Sequence, residues 1–152
     1  MDQIFEKDEF EFPEGELSRN QSQKVALFAV YDALTYLNMK APIDIKAIVS
    51  GLCDCDYEDA DYFVKASVIH AVKYYDEAVD AFNAHMTKWT FDRKNRLTQA
   101  LLLLSYVHFF YFEEKTDKKV VIDIAVRLAK TYLEPNEYKF VNAILENVLV
   151  RA

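Results

Sequence analysis

Glycine is almost missing from this chain: Gly15 and Gly51 are the only two among 152 residues, and only three prolines accompany them. An average protein carries about 7% glycine and 5% proline. β-Hairpins and sheet corners depend on residues at positive φ, which glycine adopts without steric cost. The loops that cradle phosphates, GxGxxG and GxxxxGK[ST], need it too, and neither pattern occurs. The shortage therefore predicts an all-α fold. With 52% hydrophobic and 28% charged residues, the chain is too apolar for disorder and too charged for a membrane protein. Its length suits one domain.

No apolar run reaches the 18 or so residues of a membrane span, and the opening MDQIFEKDEFEF lacks the basic-then-apolar order of a signal peptide. A cytoplasmic protein is expected. Cys53 and Cys55 sit one residue apart, a spacing that would strain a disulfide. Without a second pair they do not form a zinc motif, so two reduced thiols are expected.

Charge is unevenly spread. Of the net charge of −7, −6 lies in residues 1–16, where seven acids face one lysine. These residues, with Ile4, Phe5, Phe10 and Phe12 and the Pro13–Gly15 turn signal, read as an acidic N-terminal extension over 1–17. The helical domain spans 18–152. An acidic extension of this kind can fold over a basic surface and compete with a polyanion.

Apolar spacing of three to four residues recurs along the rest of the chain. A first helix is expected from Ser18 or Ser22 to Met39, with Leu27, Phe28, Tyr31 and Leu34 on its stripe, and a second from Ile43 to Leu52. Helical pattern over 59–86 predicts one long helix, or two joined near Tyr75 and Asp76. The next helix, capped at Thr90 or Asp92 and running to Phe112, is apolar nearly all round and should be central. Two amphipathic helices, 118–133 and 136–150, complete the set.

Catalytic constellations are lacking: none of His70, His85 and His108 belongs to HExxH, and no serine sits in GxSxG. His108 reads as a hydrogen-bonded core histidine. The acidic loop with Asp54, Asp56, Glu58, Asp59 and Asp61 lacks the glycine and terminal glutamate of an EF-hand and reads as a solvated helix start. No enzyme activity, cofactor or metal is expected. Basic residues stand out more. Lys88, Arg93, Lys94 and Arg96 surround Trp89, while Arg127, Lys130 and Lys139 lie near Tyr132, Tyr138 and Phe140. Cations interleaved with rings suit single-stranded nucleic acid, whose phosphates need charge and whose unpaired bases stack. Ordinary exposed helix faces give the same composition.

VVIDIAVRLAK over 120–130 and KFVNAILEN over 139–147 resemble the C-terminal signature of the NusB transcription antitermination family. ALFAVYDAL from Ala26 resembles its first helix, and KWTFDR with ALLLL resembles its W-x-x-x-R-L and A-I-L-R-L blocks. The resemblance covers about residues 18–150 and implies a bundle of two packed helical subdomains. It also implies a non-enzymatic factor that binds boxA-type single-stranded RNA. Its implied partners are the ribosomal protein NusE and the RNA polymerase elongation complex, and a homodimer is a further option. Carried over residue by residue, the RNA surface comprises Arg19, Lys24, Tyr31, Lys139, Phe140 and Asn142. A helix start near Asn136 would offer free amides to phosphate; for Tyr31 and Phe140, core packing is the competing reading.

The chain departs from the pattern at several places. Arg19-Asn20-Gln21-Ser22-Gln23 replaces an arginine-rich run, Asp123-Ile124 replaces N-E, and Arg127 replaces the second acid. Ala143 stands for the glycine after V-N, and Leu103 and His108 stand where Arg and Glu are frequent. These departures motivate a second reading: a NusB-like protein–protein interaction module with degraded RNA binding.

Overall fold

The computed structural model describes residues 17–151, which leaves the acidic segment 1–16 and its turn signal outside the described residues. Seven α-helices and no strand occur among those described: α1 Arg19–Met39, α2 Ile45–Cys53, α3 Tyr62–Lys73, α4 Tyr75–Asn83, α5 Arg96–Phe110, α6 Lys118–Tyr132 and α7 Glu137–Val148.

Side chains near each start satisfy the free amides of several first turns. At α1 the Ser18 hydroxyl accepts from the Gln21 amide (3.2 Å) and the Gln21 carboxamide oxygen accepts from the Ser18 amide (3.0 Å), a reciprocal box. Asp44, Asp61 and Asn95 accept from the amides of Ala47, Val64 and Leu97 at the starts of α2, α3 and α5. Lys40 and Asp54 follow the ends of α1 and α2 in the left-handed region (φ 55° and 53°), and Asn136 precedes α7 at φ 72°. Glycine usually fills such positions. A chain this poor in glycine uses a lysine, an aspartate and an asparagine instead.

The helical pattern over 59–86 divides at Tyr74, one residue before the expected bend, into α3 and α4. The start of α5 differs from expectation. Thr90 and Asp92 do not cap it: their side chains bond each other, and Phe91–Arg93 forms a single 3-10 turn. The Phe91 amide donates to Asn83 Oδ1 at 2.7 Å, and the Gln99 amide group donates to the carbonyls of Phe91 (2.9 Å) and Lys94 (3.0 Å). Those bonds hold the turn off the helix axis, and α5 begins only at Arg96.

α5 is the hub, with every residue from Thr98 to Phe109 buried. Helices α1, α2 and α3 pack on one another, as do α6 and α7, and α5 touches α1, α3, α4, α6 and α7. The buried apolar side chains form one continuous core across these groups. Leu103, where the related pattern carries arginine, is fully buried in it.

Candidate nucleic-acid interface

Asp123, Arg127 and Lys130 recur at helical spacing on α6, while Tyr138, Lys139 and Asn142 lie on the first turns of α7. The left-handed Asn136 ends the short link between these helices and lets them pack side by side. Between them opens a groove of about 670 Å³ that all six of these residues line. Three cations face one carboxylate there, and the Lys130 ammonium lies 4.7 Å from the centre of the Tyr138 ring. Arg127 is held across the fold by donating to Gln23 Oε1 on α1. Of the residues expected at the site, Lys139 and Asn142 meet in this groove.

Lys24, Phe28, Tyr31 and Thr35 share one face of α1 by their spacing. Phe28 packs edge-on against Tyr132 of α6 (5.3 Å between centroids). Arg96 lies 6.0 Å from the Tyr31 ring centre and donates to the Thr35 hydroxyl at 3.2 Å. Phe140 carries the Lys94 ammonium 3.9 Å from its ring centre, and Lys94 pairs with Glu137 at 3.1 Å. Tyr31 and Phe140 are half-buried: each packs on the core, as the competing reading has it, and each keeps part of its surface in solvent. Beside Phe140, across the α6–α7 link, a second groove of about 540 Å³ is lined by Trp89, Arg93, Lys94 and Tyr132 together with Glu134 and Glu137.

Arg19 stands apart. It lines a third groove, of about 580 Å³, with Leu17, Tyr62, His108, Glu113 and Glu114, where it is the only Lys or Arg side chain among the described residues. Gln23 lines this groove too, and its bond to Arg127 joins the acidic groove to the basic one. His108 is buried between Phe63 and Phe112 (5.1 Å to each ring), with the Thr116 hydroxyl 3.4 Å from Nε2. Burial pushes its pKa down to about 4, so the ring is neutral at pH 7. Cys53 and Cys55 are both free thiols, and burial raises the pKa of Cys53. The acidic loop yields Asp61 as a cap for α3 and Tyr57–Asp59 as a 3-10 turn.

Arg127, Lys130 and Tyr138, which the resemblance does not place on the RNA surface, line the same groove as Lys139 and Asn142. Their signal was the alternation of cations and rings along 127–140, which the structure folds into one groove. Among the described residues, no group of three or more His, Cys, Asp or Glu side chains could hold a metal ion, and no helix is long and apolar enough to cross a membrane.

Among the described residues the fold is all-helical, and its most basic groove carries three cations beside the Tyr138 ring. The chain belongs to the NusB family, whose model matches residues 20–150. It is 31% identical over 138 residues to the transcription antitermination protein NusB of Finegoldia magna, covering 89% of this chain and 96% of that protein. The corresponding protein of Staphylococcus epidermidis is 29% identical over 129 residues, covering 84% and 98%. In three dimensions the chain matches T. maritima NusB with a TM-score of 0.70 at 22% identity, over 88% of this chain and 92% of that one. The family is one of non-enzymatic transcription antitermination factors.

Proposed function

We propose that this protein binds boxA-type single-stranded RNA along the α6–α7 groove and, with the ribosomal protein NusE, helps the RNA polymerase elongation complex resist termination in the cytoplasm. The convergence of Arg127, Lys130 and Lys139 beside Tyr138 and Asn142 carries this reading. The cations offset phosphate charge, the ring offers a stacking face, and the Asn142 carboxamide can both donate to and accept from a base edge. Membership of the NusB family supports an RNA and transcription-complex setting, and boxA-type RNA and NusE are this reading's choice within it.

The test is fluorescence anisotropy of a labelled boxA-type RNA, with and without NusE, across a salt series. The three phosphate contacts of this groove contribute about −2 to the slope of log K on log salt for a single strand, so the measured slope should be at least that steep. Absence of binding at the lowest salt, in both conditions, overturns the reading.

The third groove favours the second reading, a protein partner. Tyr62 and Val120 are 59% and 44% exposed beside Glu113 and Glu114, a mixture suited to a basic, partly apolar protein surface and hostile to RNA. A specific protein captured after ribonuclease treatment, with no RNA affinity, supports this alternative; capture that is lost with ribonuclease counts against it.

A further inference from the structure

Arginine is thin at the start of α1, and the one that remains, Arg19, faces Glu113 and Glu114. The two rings that the NusB resemblance assigns to RNA are nevertheless each accompanied by a cation, and both cations come from one place. Lys94 reaches the Phe140 ring on α7 and Arg96 reaches the Tyr31 ring on α1, at 3.9 and 6.0 Å from the ring centres. The short segment between the 3-10 turn and α5 thus stands between α1 and α7 with one cation directed to each. Its position is fixed by the Gln99 and Asn83 bonds to its backbone. Arg93, on the same turn, is exposed.

Trp89 adds the missing flat surface. It is 57% exposed and lines the groove that Arg93 and Lys94 also line. A large ring left in water costs solubility and contributes little to the fold, so such a surface commonly marks a binding site. Carboxylates in this groove do not close it to a polyanion. Glu137 is engaged by Lys94 and by the Thr98 hydroxyl (3.1 and 3.2 Å), which leaves Glu134 against Arg93 in the groove.

We propose that the 89–96 segment is a second RNA subsite in which Trp89 stacks an unpaired base and Arg93 and Arg96 take its flanking phosphates, with Arg96 compensating for the cations missing from the start of α1. The subsite continues the α6–α7 groove across the link at residues 133–136 and therefore rests on the RNA-binding reading above. Its ligand is the same single strand, extended past the nucleotides held by Lys139 and Asn142.

Trp89 is the only tryptophan in the chain, so its own emission reports the subsite. The experiment titrates the full-length protein with a boxA-type RNA while anisotropy of the RNA and emission of Trp89 are read on the same samples. Quenching of Trp89 that saturates with the anisotropy is expected. Trp89→Ala should weaken binding about 5- to 150-fold, the range for loss of one stacked base. Arg93→Gln with Arg96→Gln should make the slope of log K on log salt shallower by about 1.4, two phosphates at about 0.7 each. Arg19→Gln should leave that slope unchanged. All the substituted side chains are exposed, and circular dichroism verifies that each variant keeps its helices. RNA that binds with no change in Trp89 emission, and a slope unaltered in the double variant, overturns the subsite while leaving the α6–α7 groove standing. Anisotropy that never responds to wild-type protein, with or without NusE, overturns both.

Discussion

Acidification from pH 7.5 to 5.0 should destabilise the protein through His108, by an amount that the burial of this side chain sets. Its ring is 9% exposed, lies between Phe63 and Phe112, and has a pKa lowered from 6.5 to about 4 because burial penalises the charged form. In the unfolded chain the imidazole takes up its proton near pH 6.5, whereas in the folded protein it stays neutral until about pH 4. The unfolded state therefore binds more protons as pH falls, and stability present above pH 6.5 is progressively lost down to pH 4. Fully expressed, the difference amounts to roughly 3 kcal/mol; at pH 5.0 it is about 2 kcal/mol. His70 shifts in the same direction, through burial and the nearby Lys73, and the carboxylates titrate as well, so wild type alone does not isolate the effect. The comparison is urea unfolding of wild type and His108→Phe at pH 7.5 and 5.0. Phenylalanine keeps a ring between Phe63 and Phe112 and removes the titration, while all other groups cancel. The variant should gain about 2 kcal/mol relative to wild type on acidification, which moves the difference in urea midpoints by about 1 M. Parallel loss of stability in both proteins, or an imidazole that titrates near 6.5 in the folded state, would refute the argument.

Three other outcomes follow from particular side chains. Lys40→Gly should raise stability by about 0.5 kcal/mol, because relief of a left-handed L-residue, about 1–2 kcal/mol, exceeds the extra unfolded-chain entropy of glycine; a lowered urea midpoint contradicts this. Lys139→Gln should weaken RNA binding and make the salt slope shallower by about 0.7, since this residue lines the basic groove; an unaltered slope removes Lys139 from the phosphate contacts. Deleting residues 2–16 should strengthen RNA binding at low salt, because this segment carries seven acids and one lysine, a net charge of −6 that repels a polyanion and competes with it for cations. Equal affinity for the full and shortened chains disposes of that competition.

The helices were legible because their signals are local. Ser18 announced α1, and the apolar run 100–112 announced the buried hub. The start of α5 was not legible for the opposite reason. Thr90 and Asp92 are good capping residues, but the bonds that decide the matter come from Asn83 and Gln99, each eight residues from Phe91 and on other parts of the fold. The same distinction governs the site. Lys139 and Asn142 share a groove because they share a helix, which spacing reveals. That Lys94 would meet Phe140, or Arg96 meet Tyr31, depends on how α5 packs between α1 and α7, and no periodicity encodes it.

Loss of cations at one edge of a binding surface need not imply loss of binding, since phosphate attraction depends on how many cations the strand passes and not on which helix bears them. Arg19 stands in an acidic groove, so restoring arginines beside it would add charge where Glu113 and Glu114 already offset it. Arg93, Lys94 and Arg96 lie instead among Tyr31, Phe140 and Trp89, where a cation also gains from a ring face. Two constructions of the surface therefore predict opposite results for one substitution. If RNA recognition has degraded, Asn20→Arg, which adds a cation next to Arg19, should rescue weak affinity. If the contacts have moved to the segment before α5, the same change should alter affinity less than twofold, while Arg93→Gln with Arg96→Gln lowers it by about tenfold at low salt. Measured against the same RNA, a rescue by Asn20→Arg with an inert turn decides for degradation, and the reverse pattern decides for relocation.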